Sequence, residues 1–278
     1  MDELFLQPED YAEPSCLLCD EPYGAVPESR TVPQRRILDK MDEYISHRDY
    51  AGAERHLLYW LEEARLGRDK RGELLICNEL VGHYRKTANK EKAYAYADEA
   101  LSLLRDLSYD GTISSGTTYI NVATAYSAFG DNDKSLELFQ KARAVYESNP
   151  RTSSQLLGGL YNNMGLALCA LRHFPEANQL YDKAIEAMKD VPGGVLEQAI
   201  TYLNKANALE EELGMETAEP RIFELVDQAY DLLTKSDVKQ DGYYAFVCEK
   251  CVPTFSYYGY FLAAEELTKR AESIYERT

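Results

Sequence analysis

Two pairs of cysteines are the residues best placed to do chemistry. Cys16-Leu-Leu-Cys19 and Cys248-Glu-Lys-Cys251 share the two-residue spacing that lets two thiolates hold one tetrahedral metal ion. With six cysteines in 278 residues, random placement yields roughly 0.1 such pairs, so two stand out. Together they would make a structural zinc site of four sulfurs. A helix also sets residues three apart on one face, so Cys248 and Cys251 read equally as core positions, as Cys77 and Cys169 do. Cys16 and Cys19 have no helical pattern around them, and a disulfide is not expected in a reducing compartment. His47, His56, His83 and His173 have no Cys, Asp or Ser partner at motif spacing. Gly158-Gly159 and Gly193-Gly194 read as breaks or close packing, not as a phosphate loop. The sequence therefore predicts no enzyme, and no cofactor beyond that zinc.

The element that must position these residues is written twice between Tyr119 and Asp190. Tyr119 aligns with Tyr161, Val122 with Met164, Ala123 with Gly165, Ser135 with Ala177, Phe139 with Tyr181 and Ala142 with Ala184, each at an offset of 42. A fixed period of this size signals a solenoid. Tyr161, Gly165, Leu168, Ala177, Tyr181 and Ala184 resemble the tetratricopeptide repeat, a pair of antiparallel helices. Its small residues let helix backbones approach, and its aromatics fill the gap between neighbouring pairs. The usual period in that family is about 34 residues, and the excess is about two helical turns, one per helix. This length is similar to the long repeats of kinesin light chains and many bacterial proteins. The fold class expected is all-α, a right-handed superhelical solenoid.

Along the chain, residues 1–33 carry Pro8, Pro14, Pro22, Pro27 and Pro33 without a helical period, and read as an extended arm before a repeat domain over 34–278. The arm also holds Leu4, Phe5, Leu6, Tyr11, Leu17, Leu18 and Tyr23, and is expected to rest on the repeats. Six helix pairs follow. A capping box at Thr31 and Gln34 is expected to open the first, and one at Thr152 and Gln155 the fourth. Gly67, Tyr109-Asp110-Gly111, Asn149-Pro150 and Pro192-Gly193-Gly194 mark breaks, and Gly214 to Pro220 lengthens the turn of the fifth pair. From residue 33 back to Cys19 the chain can stretch about 45–50 Å. Five steps of a straight stack come to roughly the same distance. A zinc site shared by both cysteine pairs would thus need a straight arm or a second subunit, hence a homodimer.

The net charge of −17 argues against nucleic acid and anionic membranes and favours a partner with basic residues. No apolar run approaches a membrane span, and the acidic start MDELFLQPED lacks the apolar core of a secretory signal, so a cytoplasmic protein is expected. The resemblance implies a concave groove lined by the first helix of each pair. Asn78, Asn121, Asn162, Asn163 and Asn204, with Lys205, fall where that face should lie. Asn is a poorer helix former than Ala by roughly half a kcal/mol, so its recurrence is not explained by helix stability. Its amide can both donate to and accept from an extended peptide. The same amides could instead bridge neighbouring helices or face water. Arg85 and Lys86, beyond Asn78, read as a carboxylate site or as a solvated basic pair. The functional expectation is a scaffold binding a protein or peptide, with a peptide- or metal-responsive regulatory sensor as the alternative.

Overall fold

The computed structural model describes residues 30–235 and 238–277, which form twelve helices and no strand. They are α1 (Gln34–Ser46), α2 (Tyr50–Leu66), α3 (Lys70–Lys86), α4 (Lys90–Asp106), α5 (Ile113–Ala128), α6 (Asn132–Ser148), α7 (Ser154–Ala170), α8 (Phe174–Met188), α9 (Gly194–Leu213), α10 (Met215–Thr234), α11 (Gly242–Tyr257) and α12 (Phe261–Tyr275). Cys16, Cys19 and the apolar residues of the arm lie outside the described residues. The six expected pairs are present, each helix packing on its partner; α2, α4, α6 and α8 also pack on the start of the next pair, whereas the last pair is reached through α9 on α11. Consecutive odd-numbered helices from α3 to α11 also touch, whereas even-numbered helices make no comparable contacts. The odd layer is therefore the shorter arc, and the stack curves toward it.

Small residues set the spacing within pairs. A Cβ on Gly165 would stand 2.5 Å from the ring of Tyr181, and one on Gly116 would stand 2.2 Å from Tyr146. Both tyrosines are fully buried, so only glycine lets the backbone pass. The core is a chain of three apolar clusters, each spanning about two pairs, as a solenoid without a single centre requires.

Turn chemistry differs from the sequence reading at three places. Helix α1 starts behind Pro33 with no side-chain cap, so the Thr31–Gln34 box does not form. The carboxylate of buried Asp69, which caps α3 through the Gly72 N–H (2.9 Å), also accepts from the Val32 N–H (2.9 Å) and anchors the entering chain there. Helix α7 is capped by Ser153, which accepts from Leu156, and the neighbouring Thr152 hydroxyl is buried without a partner. The stretch from Gly214 to Pro220 is not a long turn. Gly214 alone separates α9 from α10, and the extra residues lengthen both helices to 20, with Pro220 inside α10. A proline in the second turn lacks an N–H where a helical bond would begin, yet the preceding turn tolerates it.

The stack is also not straight. Arg48, in the turn between α1 and α2, donates to Glu249 of α11 at 2.9 Å and lies over the ring of Tyr275 in α12, 6.0 Å from its centroid. The first and last pairs therefore meet. The separation of five straight steps is overturned, because small rotations between pairs accumulate into a closed turn.

Candidate functional site

The asparagines lie on adjacent odd-numbered helices, and most of them are joined to one another. The Asn78 amide donates to the Leu74 carbonyl (2.9 Å) and the Thr118 hydroxyl (3.0 Å), and its oxygen accepts from Asn121 (3.1 Å). Two pairs later the motif recurs. The Asn162 oxygen accepts from Asn204 (2.9 Å) and from Thr201 (3.2 Å). Asn162 and Thr201 are buried, while Asn78, Asn121, Asn163 and Asn204 are half-buried. These bridges staple α3 to α5 and α7 to α9. What remains open is the side-chain oxygen of Asn121 and of Asn204, and the whole amide of Asn163, which has no hydrogen-bond partner among the described residues.

Lys205 is held by Asp182 of α8. Arg85 is exposed, and Lys86 sits over the Tyr50 ring with its ammonium 5.3 Å from the centroid. Neither has an ion-pair partner among the described residues.

Two features of the same face were missed from the sequence. Glu79 occupies the register of Asn121, Asn163 and Lys205, each 42 residues from the last. Burial, and then the charge of Asp42 on α1, raises its carboxyl above the usual range. At the other end Phe246 takes the register of Asn162 and Asn204. It is 45% exposed and stacks on Tyr243, ring centroids 6.2 Å apart, while the Tyr243 hydroxyl donates to Glu197. The repeat period alone points to both residues, once the register is followed for every residue type and not only for asparagine. The face thus grades from acidic through amide to aromatic.

The cysteine reading changes. Cys248 and Cys251 are buried in the apolar cluster of the last two pairs. Burial pushes their thiols up to about 11 and about 12. Their placement matches the core positions that helical spacing allows, while Cys16 and Cys19, the other half of the expected zinc site, lie outside the described residues. No group of three or more His, Cys, Asp or Glu able to hold a metal occurs among the described residues. No described helix is long and apolar enough to cross a membrane.

Similarity to known proteins agrees with this architecture. Residues 116–148 and 158–191 each match the family described as Tetratricopeptide repeat. The chain is 31% identical over 130 residues to the Photosystem I assembly protein Ycf3 of Prochlorococcus marinus, an alignment covering 40% of this chain and 73% of that protein. Among solved structures, BtubC (BKLC) from P. vanneervenii superposes with a TM-score of 0.50 at 18% identity, covering 88% of this chain and 91% of the other. Nearly identical TPR-like repeats named for a kinesin light chain of Podosopora anserina give 0.50 at 16% identity, covering 71% and 92%. Two matched repeats at the expected period, six stacked helix pairs and these relatives lead to one assignment: the chain belongs to the tetratricopeptide repeat family.

Proposed function

We propose that this protein is a scaffold that binds an extended polypeptide segment along the layer of odd-numbered helices. Repeats of this family generally mediate interactions between proteins, and the similarity to an assembly protein supports a role in holding another chain. The observation that carries the reading is the amide ladder. Bridging bonds fix Asn121 and Asn204 so that each keeps an open acceptor, and Asn163 keeps both donor and acceptor. An extended backbone offers N–H and C=O groups to match. The graded face suggests the occupant's chemistry: a basic side chain toward Asp42 and Glu79, and an apolar or aromatic one toward Tyr243 and Phe246. The overall charge of −17 favours encounter with such a segment.

An array of extended peptides, each with a Lys or Arg near one end and an aromatic near the other, in both orders, tests this. One order is expected to bind. Joint replacement Asn163→Ala and Phe246→Ala is expected to weaken it about tenfold or more, the equivalent of about 1.4 kcal/mol. Neither side chain makes a hydrogen bond within the described fold, so the melting temperature should move little. Equal binding of both orders, or unchanged affinity in the double variant, overturns the assignment.

A further inference from the structure

The contact between Arg48 and Glu249 spans 201 residues. Long side-chain hydrogen bonds elsewhere along the stack, such as that from Tyr258 to Asn207, span about one repeat, 51 residues in that case. The receiving site is set by its own repeat, since the Tyr275 hydroxyl donates to the second oxygen of Glu249 at 3.2 Å and holds acid and ring together. Pro253, four residues on in α11, removes the backbone donor that would bond the Glu249 carbonyl, so the helix can bend at this turn.

This closure is weakly held. The side chains of Arg48 and Glu249 are 70% and 43% exposed, and exposed ion pairs contribute about 0–1 kcal/mol. Salt screens them, with a Debye length of about 10 Å at 0.1 M and about 3 Å at 1 M. Helices α1 and α11 do not pack extensively against each other to reinforce it. The interfaces between pairs, in contrast, are apolar and continuous, so the coil acts as a spring with a charged contact where its first and sixth pairs meet.

We infer that Arg48, Glu249 and Tyr275 form a latch that holds the superhelix in a closed turn, and that its release opens the inner layer of helices. If that layer binds a peptide, as proposed above, the latch controls how an occupant enters and leaves. The latch itself needs no occupant to be tested.

Small-angle scattering of the full chain at low and high sodium chloride reads it directly, with circular dichroism in parallel to separate opening from unfolding. The native chain should expand as salt rises, at constant helix content. Arg48→Glu, and independently Glu249→Gln, should be expanded already at low salt and should lose the salt response. The exchange of both charges, Arg48→Glu with Glu249→Arg, should restore the compact form. Equal radii for all variants at both salt levels, or an exchange that stays as open as the single variants, overturns the latch. Because no peptide is present, either result stands apart from the binding experiment.

Discussion

Ser135 is fully buried at a position that its register-mates Ala93 and Ala177 fill without a hydroxyl, and its Oγ has no partner. Leaving such a group unsatisfied costs about 1–3 kcal/mol, so Ser135→Ala is expected to stabilise the protein by about 1 kcal/mol. Urea unfolding checks it, and a lowered midpoint would reveal a bound water serving the hydroxyl. The position itself was legible in sequence, since the alignment of Ser135 with Ala177 marks a small-residue contact. Its missing partner was not, because hydrogen bonding depends on neighbours outside the repeat pattern. The asparagines divide the same way. Their two adjacent registers pointed to one face, but not that Asn78 accepts from Asn121 or Asn162 from Asn204. Those bonds depend on how neighbouring pairs rotate against each other, which the period does not encode. Cys248 and Cys251 were ambiguous in sequence because a helical spacing and a ligand spacing coincide at three residues. Their burial among apolar neighbours shows the packing role that the helical spacing allows.

The turns between helices reuse one left-handed residue. Ala88, Gly130 and Arg172 stand 42 apart with φ of 56°, 85° and 62°. Glycine adopts this conformation freely, whereas an L side chain there costs about 1–2 kcal/mol. Replacing exposed Ala88 with Gly should therefore raise stability by about 1 kcal/mol, less the extra entropy of the unfolded glycine. A rise in melting temperature checks it; no change would show that the turn relaxes around alanine. Of the three, only Gly130 has a residue type that signals such a turn, whereas Ala88 and Arg172 carry no turn signature. At Gly214 to Pro220 the turn residues were legible and their meaning was reversed. Close packing of α9 on α10 keeps the chain helical through Pro220, so tertiary contact overrides local preference.

Across the whole molecule, tyrosine hydroxyls donate to carboxylates of neighbouring helices and turns. Tyr84 donates to Glu54 (2.7 Å), Tyr161 to Glu147 (3.0 Å), Tyr260 to Asp227 (2.7 Å) and Tyr258 to Glu210 (2.9 Å), while Tyr94 bonds Asp131 and Tyr230 bonds Glu266. The hydroxyl of Tyr94 holds Asp131, and that of Tyr230 holds Glu266, below their usual values of 3.8 and 4.5. A carboxyl depressed in the folded state contributes stability that is complete above its unfolded value and is lost as pH falls through the folded one. The melting temperature should therefore decline as pH drops below about 4.5, and the decline should be shallower in Tyr230→Phe. The phenols carry the opposite sign. Burial and the Glu147 carboxylate push Tyr161 up to about 12, so its contribution is complete below the usual 10.0 and is lost as pH rises through about 12. An acid limb of unchanged slope in Tyr230→Phe would remove the carboxylate pairing as its cause. Composition shows many tyrosines and acids, but only the curvature of the stack shows that they meet. The closure through Arg48 was equally hidden, since a period fixes each step and leaves their sum open.

The long span of that one contact also fixes an order of events in time. The other side-chain hydrogen bonds of the described chain join residues within about one repeat, so each helix pair can find its partners soon after the next has been synthesised. Assembly can keep pace with translation, one pair behind the growing end. The bond from Arg48 cannot, because Glu249 and Tyr275 belong to the sixth pair. A chain cut short after five pairs would hold nearly all of its packing and none of its closure. The contact from Arg48 thus records that the sixth pair has been made.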